Sequence, residues 1–214
     1  MINSISKELN AIQIPYYKGE LSMLPFNLND LSTIPIELKE TVEQMVKNLP
    51  NKVGTAFLTV HGKFVKKAKT LRRGAPHIDG NFIQGLSSWG GGSGTNGWKV
   101  GENGFSLTSE EHKLSYENKS GGMLIASNYS ACMGWSGVYN EKAKEGGDCS
   151  HINLGEGFML KPNKVYYGNS QFIHESLPLD KDIFRILYRI TLPTEYPAIQ
   201  NFKQKIWMKN KQKC

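Results

Sequence analysis

The chain has 214 residues, a formal net charge of +7, 39% hydrophobic and 21% charged residues. That is enough for one well-buried core, so a single domain over 1–214 is expected, and the balance excludes a disordered or fibrous chain. No apolar stretch approaches the length of a membrane span, and Cys132, Cys149 and Cys214 lack the paired spacing of a disulfide framework. The odd cysteine count fits a reducing compartment. With no basic region followed by an apolar run at the N-terminus, no secretion signal is read, and the cytoplasm, or the cytoplasm of a host cell, is the expected location.

Residues 1–50 are expected to form an N-terminal extension. Prolines at 15, 25 and 35 make its first part extended segments and turns. A helix is predicted over about 35–49. Thr33 is placed to cap it, Pro35 suits an early helical position, and Leu38, Val42, Met45, Val46 and Leu49 recur at helical spacing before Pro50 stops it. From Val53 the period changes to two. The stretch 53-VGTAFLTVHG-62 reads as a strand and 63-KFVKKA-68 as its hairpin partner.

The glycine-rich stretch 85–104 reads as a long loop with Trp89 and Trp98 as anchors. Short strands are then predicted at 103–109, 122–127, 155–161, 164–168, 171–176 and 182–192, separated by Gly/Pro/Asn turns. Many short strands without strand–helix alternation mean a mainly β protein, an antiparallel sandwich or barrel, with one or more flanking helices. The stretch 127–151 carries Tyr129, Trp135 and Tyr139 without a clear role, and these either stack on a substrate or pin a loop.

Two basic runs, 63-KFVKKAKTLRR-73 and 203-KQKIWMKNKQK-213 within a basic C-terminal tail at 194–214, permit an acidic partner or are solvated faces. No recognition helix, zinc finger or RNA-binding signature accompanies them. A protein residue, a small molecule and a nucleic acid all stay open as substrate, and the oligomeric state is not legible.

The chemistry concentrates in 72-RRGAPHIDGNF-82. In an extended segment His77 and Asp79 point to the same side, and Gly80 lets the chain turn away behind them. The two side chains form a hydrogen-bonded loop pair or two thirds of a metal site. His174, near the end of the apolar strand 171-QFIHES-176, completes a set of two imidazoles and one carboxylate, which suits octahedral Fe(II) and leaves three positions open. His151 with Asp148 and Cys149 is a rival cluster for Zn whose members do not obviously converge. His61 reads as structural, or enters a site if its strand borders the pocket. Further along, Arg185, Leu187, Arg189 and Thr191 share one face of a strand, and Phe184, Ile186, Tyr188 and Ile190 share the other. Parity alone leaves open which face is buried.

The order 77-HID-79, 171-QFIH-174 and 182-DIFRILYRITLP-193 resembles the Fe(II)/2-oxoglutarate-dependent oxygenases over about residues 53–193. The resemblance implies a double-stranded β-helix (jelly roll) catalytic core over 53–193. It implies a non-haem iron dioxygenase whose metal ligands are His77, Asp79 and His174, with 2-oxoglutarate as cosubstrate. Arg185 lies 11 residues after His174 and Arg189 lies 15 after it, both familiar spacings in that family. They and Thr191 are accordingly expected in cosubstrate binding, with Arg185 favoured and Arg189 serving the same molecule or an anionic substrate group. The reaction implied is decarboxylation of 2-oxoglutarate coupled to substrate hydroxylation. A cupin-like metalloenzyme that does not use 2-oxoglutarate, and a non-enzymatic jelly roll that binds or builds, are the alternatives.

Overall fold

The computed structural model describes residues 1–79, 99–100, 105–106, 121–144 and 147–193. Gly80, most of the glycine-rich stretch, most of the strand expected at 103–109 and the tail at 194–214 lie outside the described residues.

The described chain is mainly β, with antiparallel sheets and a single helix among the described residues. The largest sheet has six strands. They are β2 (Ser6–Ala11), β3 (Gly19–Asn27), β4 (Thr55–Val65), β7 (Gly122–Ser127), β11 (Lys164–Gly168) and β13 (Ile183–Leu192), in the order β2-β11-β7-β13-β4-β3. A second sheet runs β10-β8-β12, from β8 (Cys132–Trp135), β10 (Phe158–Met159) and β12 (Ile173–Ser176). Two small pairs join β1 (Ile2–Ser4) to β9 (Gly137–Tyr139) and β5 (Lys99–Val100) to β6 (Phe105–Ser106).

Helix α1 spans Ile36–Val46 and buries Leu38, Thr41, Val42, Met45 and Val46. Its apolar stripe packs on one face of the six-stranded sheet, against Ala56, Leu58 and Val60 of β4, Leu124 and Ala126 of β7, Val165 and Tyr167 of β11, and Ile186, Tyr188 and Ile190 of β13. The other face meets the three-stranded sheet. There Val65, Ile125, Tyr166 and Leu187 pack with Cys132 and Phe172, and with the partly buried Phe158. Both faces of β13 are therefore covered. Its alternation, which reads as inside against outside, separates two interiors instead.

Two expectations change. The stretch 55–65 is one continuous strand and not a hairpin, because it pairs with β13 from Ile183↔Val65 to Thr191↔Phe57. Gly62 serves close approach here: a Cβ at this position would lie 1.8 Å from the Tyr17 carbonyl oxygen. In 127–151, β8 forms the middle of the three-stranded sheet and β9 pairs with the N-terminal strand. The first residues likewise build sheet, with β2 and β3 on the two edges of the larger one.

Candidate metal centre

The three-stranded sheet is extended by the ligand-bearing segment itself. His77 forms an isolated bridge to His174, with His77 N donating to His174 O and His174 N donating to His77 O, both at 3.0 Å. Its far side is tied to the chain around Asp148. Ile78 N donates to Gly147 O and Cys149 N donates to Pro76 O, each at 2.9 Å. Between the ligand positions, Ile78 and Ile173 turn outward into a cluster with Trp135, Cys149 and Ile152. Alternation then sends His77, Asp79 and His174 to the inner side together.

The three side chains are buried, with exposures of 6%, 5% and 6%. One ligand atom from each lies within 4.8 Å of the others. His77 Nε2 is 3.8 Å from Asp79 Oδ1, and His174 Nε2 is 3.9 Å from Asp79 Oδ2. Each imidazole has its other nitrogen at a backbone carbonyl, His77 Nδ1 at Ala75 O (2.8 Å) and His174 Nδ1 at Phe172 O (3.0 Å). A carbonyl accepts only, so Nδ1 carries the proton and Nε2 is left with its lone pair facing the carboxylate. Burial, reinforced by the neighbouring His174, pushes the His77 pKa down to about 3, and burial also lowers that of His174. Both rings are neutral at pH 7, the form that binds metal. Burial alone would raise the Asp79 pKa, but Arg189 first, and then the two imidazoles, outweigh it and hold the carboxyl well below the usual range.

The donor set fits a metal. A first-row divalent ion about 2.1 Å from each N and O ligand sits among atoms about 3 Å apart. The observed spacings reach that by side-chain movements under an ångström. The rival cluster does not assemble. His151 is exposed with Nε2 at Lys142 O, 3.1 Å away, and Asp148 accepts from Ser150.

Both arginines of β13 point between the sheets. Arg189 Nη1 donates to Asp79 Oδ2 at 2.5 Å, in a pair whose side chains are nearly fully buried. Thr191 is buried two residues further along the same face. Arg185 is 0% exposed. It donates to Ser176 Oγ (3.0 Å), Ala131 O (3.0 Å) and Cys132 Sγ (3.2 Å), and its Nε has no partner. Among the described residues no carboxylate pairs with it.

Two residues gain a place here that the sequence did not assign. His61 is buried, with Nδ1 3.1 Å from the exposed Glu20 carboxylate and Nε2 2.5 Å from Arg72 Nη1. The register offers the signal in retrospect: His61 lies opposite Leu187, between the partners of Arg185 and Arg189. The aromatic residues of 127–151 pin the chain. Tyr129 OH donates to Asp180 Oδ1 (2.6 Å), Trp135 lies in the outer cluster, and Tyr139 OH donates to Leu154 O (3.4 Å). No protein family, curated protein or solved structure matches this chain.

Proposed function

We propose that this protein is an Fe(II)/2-oxoglutarate-dependent oxygenase with a double-stranded β-helix core. The reading is carried by one observation: two imidazole Nε2 atoms and one carboxylate converge in a buried site, with each Nδ1 held by a backbone carbonyl. Two histidines and one carboxylate with open positions are the ligand set of non-haem Fe(II) oxygenases.

Strand pairing supports the fold. β4 pairs with β13, the His77 segment with β12, β7 with β11, and β8 with β10. In chain order this is one long antiparallel hairpin, first strand to last and second to second-last. Rolling such a hairpin gives a jelly roll. The orders β11-β7-β13-β4 and β10-β8-β12-His77 are what that rolling produces.

When bound, iron(II) with 2-oxoglutarate and O₂ would supply oxidative decarboxylation to succinate and CO₂ coupled to hydroxylation of a substrate C–H bond, one oxygen atom of O₂ going to succinate and the other to the substrate. The protein's residues do the rest. His77, Asp79 and His174 hold one side of the metal. Arg189 fixes the orientation of Asp79. Arg185 receives the far carboxylate of 2-oxoglutarate. A fully buried guanidinium hydrogen-bonded to neutral groups alone is costly, and a dicarboxylate relieves that cost. Ser176, which holds Arg185, lies two residues and about 7 Å beyond His174 on the same face, which is comparable with the length of a five-carbon diacid.

The test is anaerobic titration of wild type and His174→Ala with Fe(II) and then 2-oxoglutarate, followed by visible absorption. A weak charge-transfer band in wild type and none in the variant is expected. Metal binding without the band would favour an enzyme that does not use 2-oxoglutarate. A wild type that takes up no metal would end the proposal.

A further inference from the structure

We infer that Arg72 is a substrate-binding residue and that the substrate is a small molecule carrying a carboxylate, sulfonate or phosphate. The use made of that binding rests on the oxygenase reading, but the binding itself does not. The argument begins with how Arg72 is held. Its Nη1 donates to His61 Nε2, while His61 Nδ1 faces Glu20. The Glu20 carboxylate accepts only, so it sets the tautomer: Nδ1 carries the hydrogen and Nε2 is an acceptor for Arg72. Arg72 is thus fixed in place by a neutral ring. A protein that needed only to neutralise this guanidinium would place a carboxylate against it. The Glu20 carboxylate stands one residue further out, on the far side of the imidazole, and is 63% exposed.

The position is equally specific. Arg72 lies five residues before His77, and its backbone N donates to Ser176 Oγ at 3.4 Å, the same hydroxyl that accepts from Arg185. Its charge interacts with Asp79, with Arg189 and with His174, so it belongs to the field of the metal centre. Among the described residues, Nε and Nη2 of Arg72 have no hydrogen-bond partner, while the residue is only half-buried. Its remaining donors are therefore reachable from solvent.

Charge accounting points the same way. Arg72, Arg185 and Arg189 bring three positive charges, and Asp79 and, further out, Glu20 bring two negative ones, while the two ligand imidazoles are neutral. A divalent metal and a doubly charged cosubstrate cancel each other. Net positive charge remains in a poorly hydrated site, which favours an anionic ligand. The planar fork of arginine suits the two oxygens of a carboxylate, sulfonate or phosphate. The ligand triad is buried, so a duplex or a folded surface does not touch it directly, and a small anion is the ligand inferred.

The experiment uses the full chain and inorganic sulfate as the probe. Calorimetry at constant ionic strength measures sulfate Kd for wild type, Arg72→Gln and Arg72→Lys, in metal-free protein and in protein loaded with Co(II) and 2-oxoglutarate. The cobalt absorption spectrum reports the metal centre independently. Sulfate binding is expected in wild type, at least about tenfold weaker in Arg72→Gln and weaker in Arg72→Lys, which keeps the charge but loses the fork. The cobalt spectrum and its response to 2-oxoglutarate are expected to be unchanged. Equal sulfate Kd in wild type and both variants would overturn the inference, and Arg72→Lys alone decides it if Arg72→Gln does not fold. Loss of the 2-oxoglutarate response in the variants would also overturn it, by assigning Arg72 to the cosubstrate. If no protein binds metal but the sulfate difference persists, the oxygenase reading falls and the anion site stands.

Discussion

Asp79 and Arg189 form the tightest charge pair of the site, and each is buried by the other's element. Removing one partner of such a pair leaves a buried charge uncompensated and costs about 3–5 kcal/mol. Arg189→Leu should lower the unfolding free energy of the metal-free protein by that amount in denaturant titrations. Co(II) should narrow the gap, because a bound cation compensates Asp79 in its place. Arg185→Met should behave differently. Removing the partner of a buried bound carboxylate costs about 2–5 kcal/mol of binding, so 2-oxoglutarate affinity should fall about thirtyfold or more with Fe(II) affinity intact, by calorimetry. Equal losses for metal and 2-oxoglutarate would contradict the separate roles. At this scale the sequence was informative in part. The two-residue spacing of His77 and Asp79 placed both on one side because extended backbone alternates, and His174 is the imidazole that the fold brings to them. Whether the arginines faced inward was not legible. Parity gives two faces, and in β13 both turned out to be interior. The Arg72–His61–Glu20 chain was not legible either, since it joins three separate segments.

Among the elements, α1 and β4 show why the sheet can carry polar residues on one face. The helix closes the opposite face with Leu38, Val42 and Met45, each 0% exposed, so a large part of the apolar burial that holds the sheet lies away from the site. Leu38→Ala should cost about 2–5 kcal/mol of stability and leave the 2-oxoglutarate Kd of the folded fraction unchanged. A change in that Kd would mean that the helix face and the site are coupled. The helix was legible because its pattern repeats over three turns. β8 was not, because Cys132–Trp135 is four residues with Gly134 among them, between Ala131 and Ser136, and its strand character comes from its neighbours on both sides. The continuous β4 was missed for a related reason. It was read as two strands of a hairpin, 53–62 and 63–68, but pairing with β13 from Phe57 to Val65 keeps it extended.

For the whole molecule, buried neutral histidines set the response to acid. The folded pKa of His61 is pushed down to about 4 by burial, then by Arg72, and that of His77 to about 3. A histidine whose folded pKa is depressed favours the folded state fully above its unfolded value near 6.5. That contribution is lost as pH falls from there towards the folded values, because the unfolded chain takes up protons that the folded chain refuses. The metal-free protein should therefore lose melting temperature progressively from about pH 6.5 to about pH 4 in scanning calorimetry. A flat profile over that window would mean that these rings are solvated.

The mutual hydrogen bonds of His77 and His174 have a consequence for how a metal would be taken up. Two ligands that already hold each other, with Arg189 standing in as a counter-cation for Asp79, make a rigid chelator before any ion arrives. Zinc fingers obtain their fold from the metal and come apart without it. Here backbone hydrogen bonds and the Arg189–Asp79 pair hold the ligand residues by contacts that need no ion, so folding and metal uptake can be separate steps. On the oxygenase reading proposed above, protein made without its metal would be a folded reserve that later metal uptake completes without new translation.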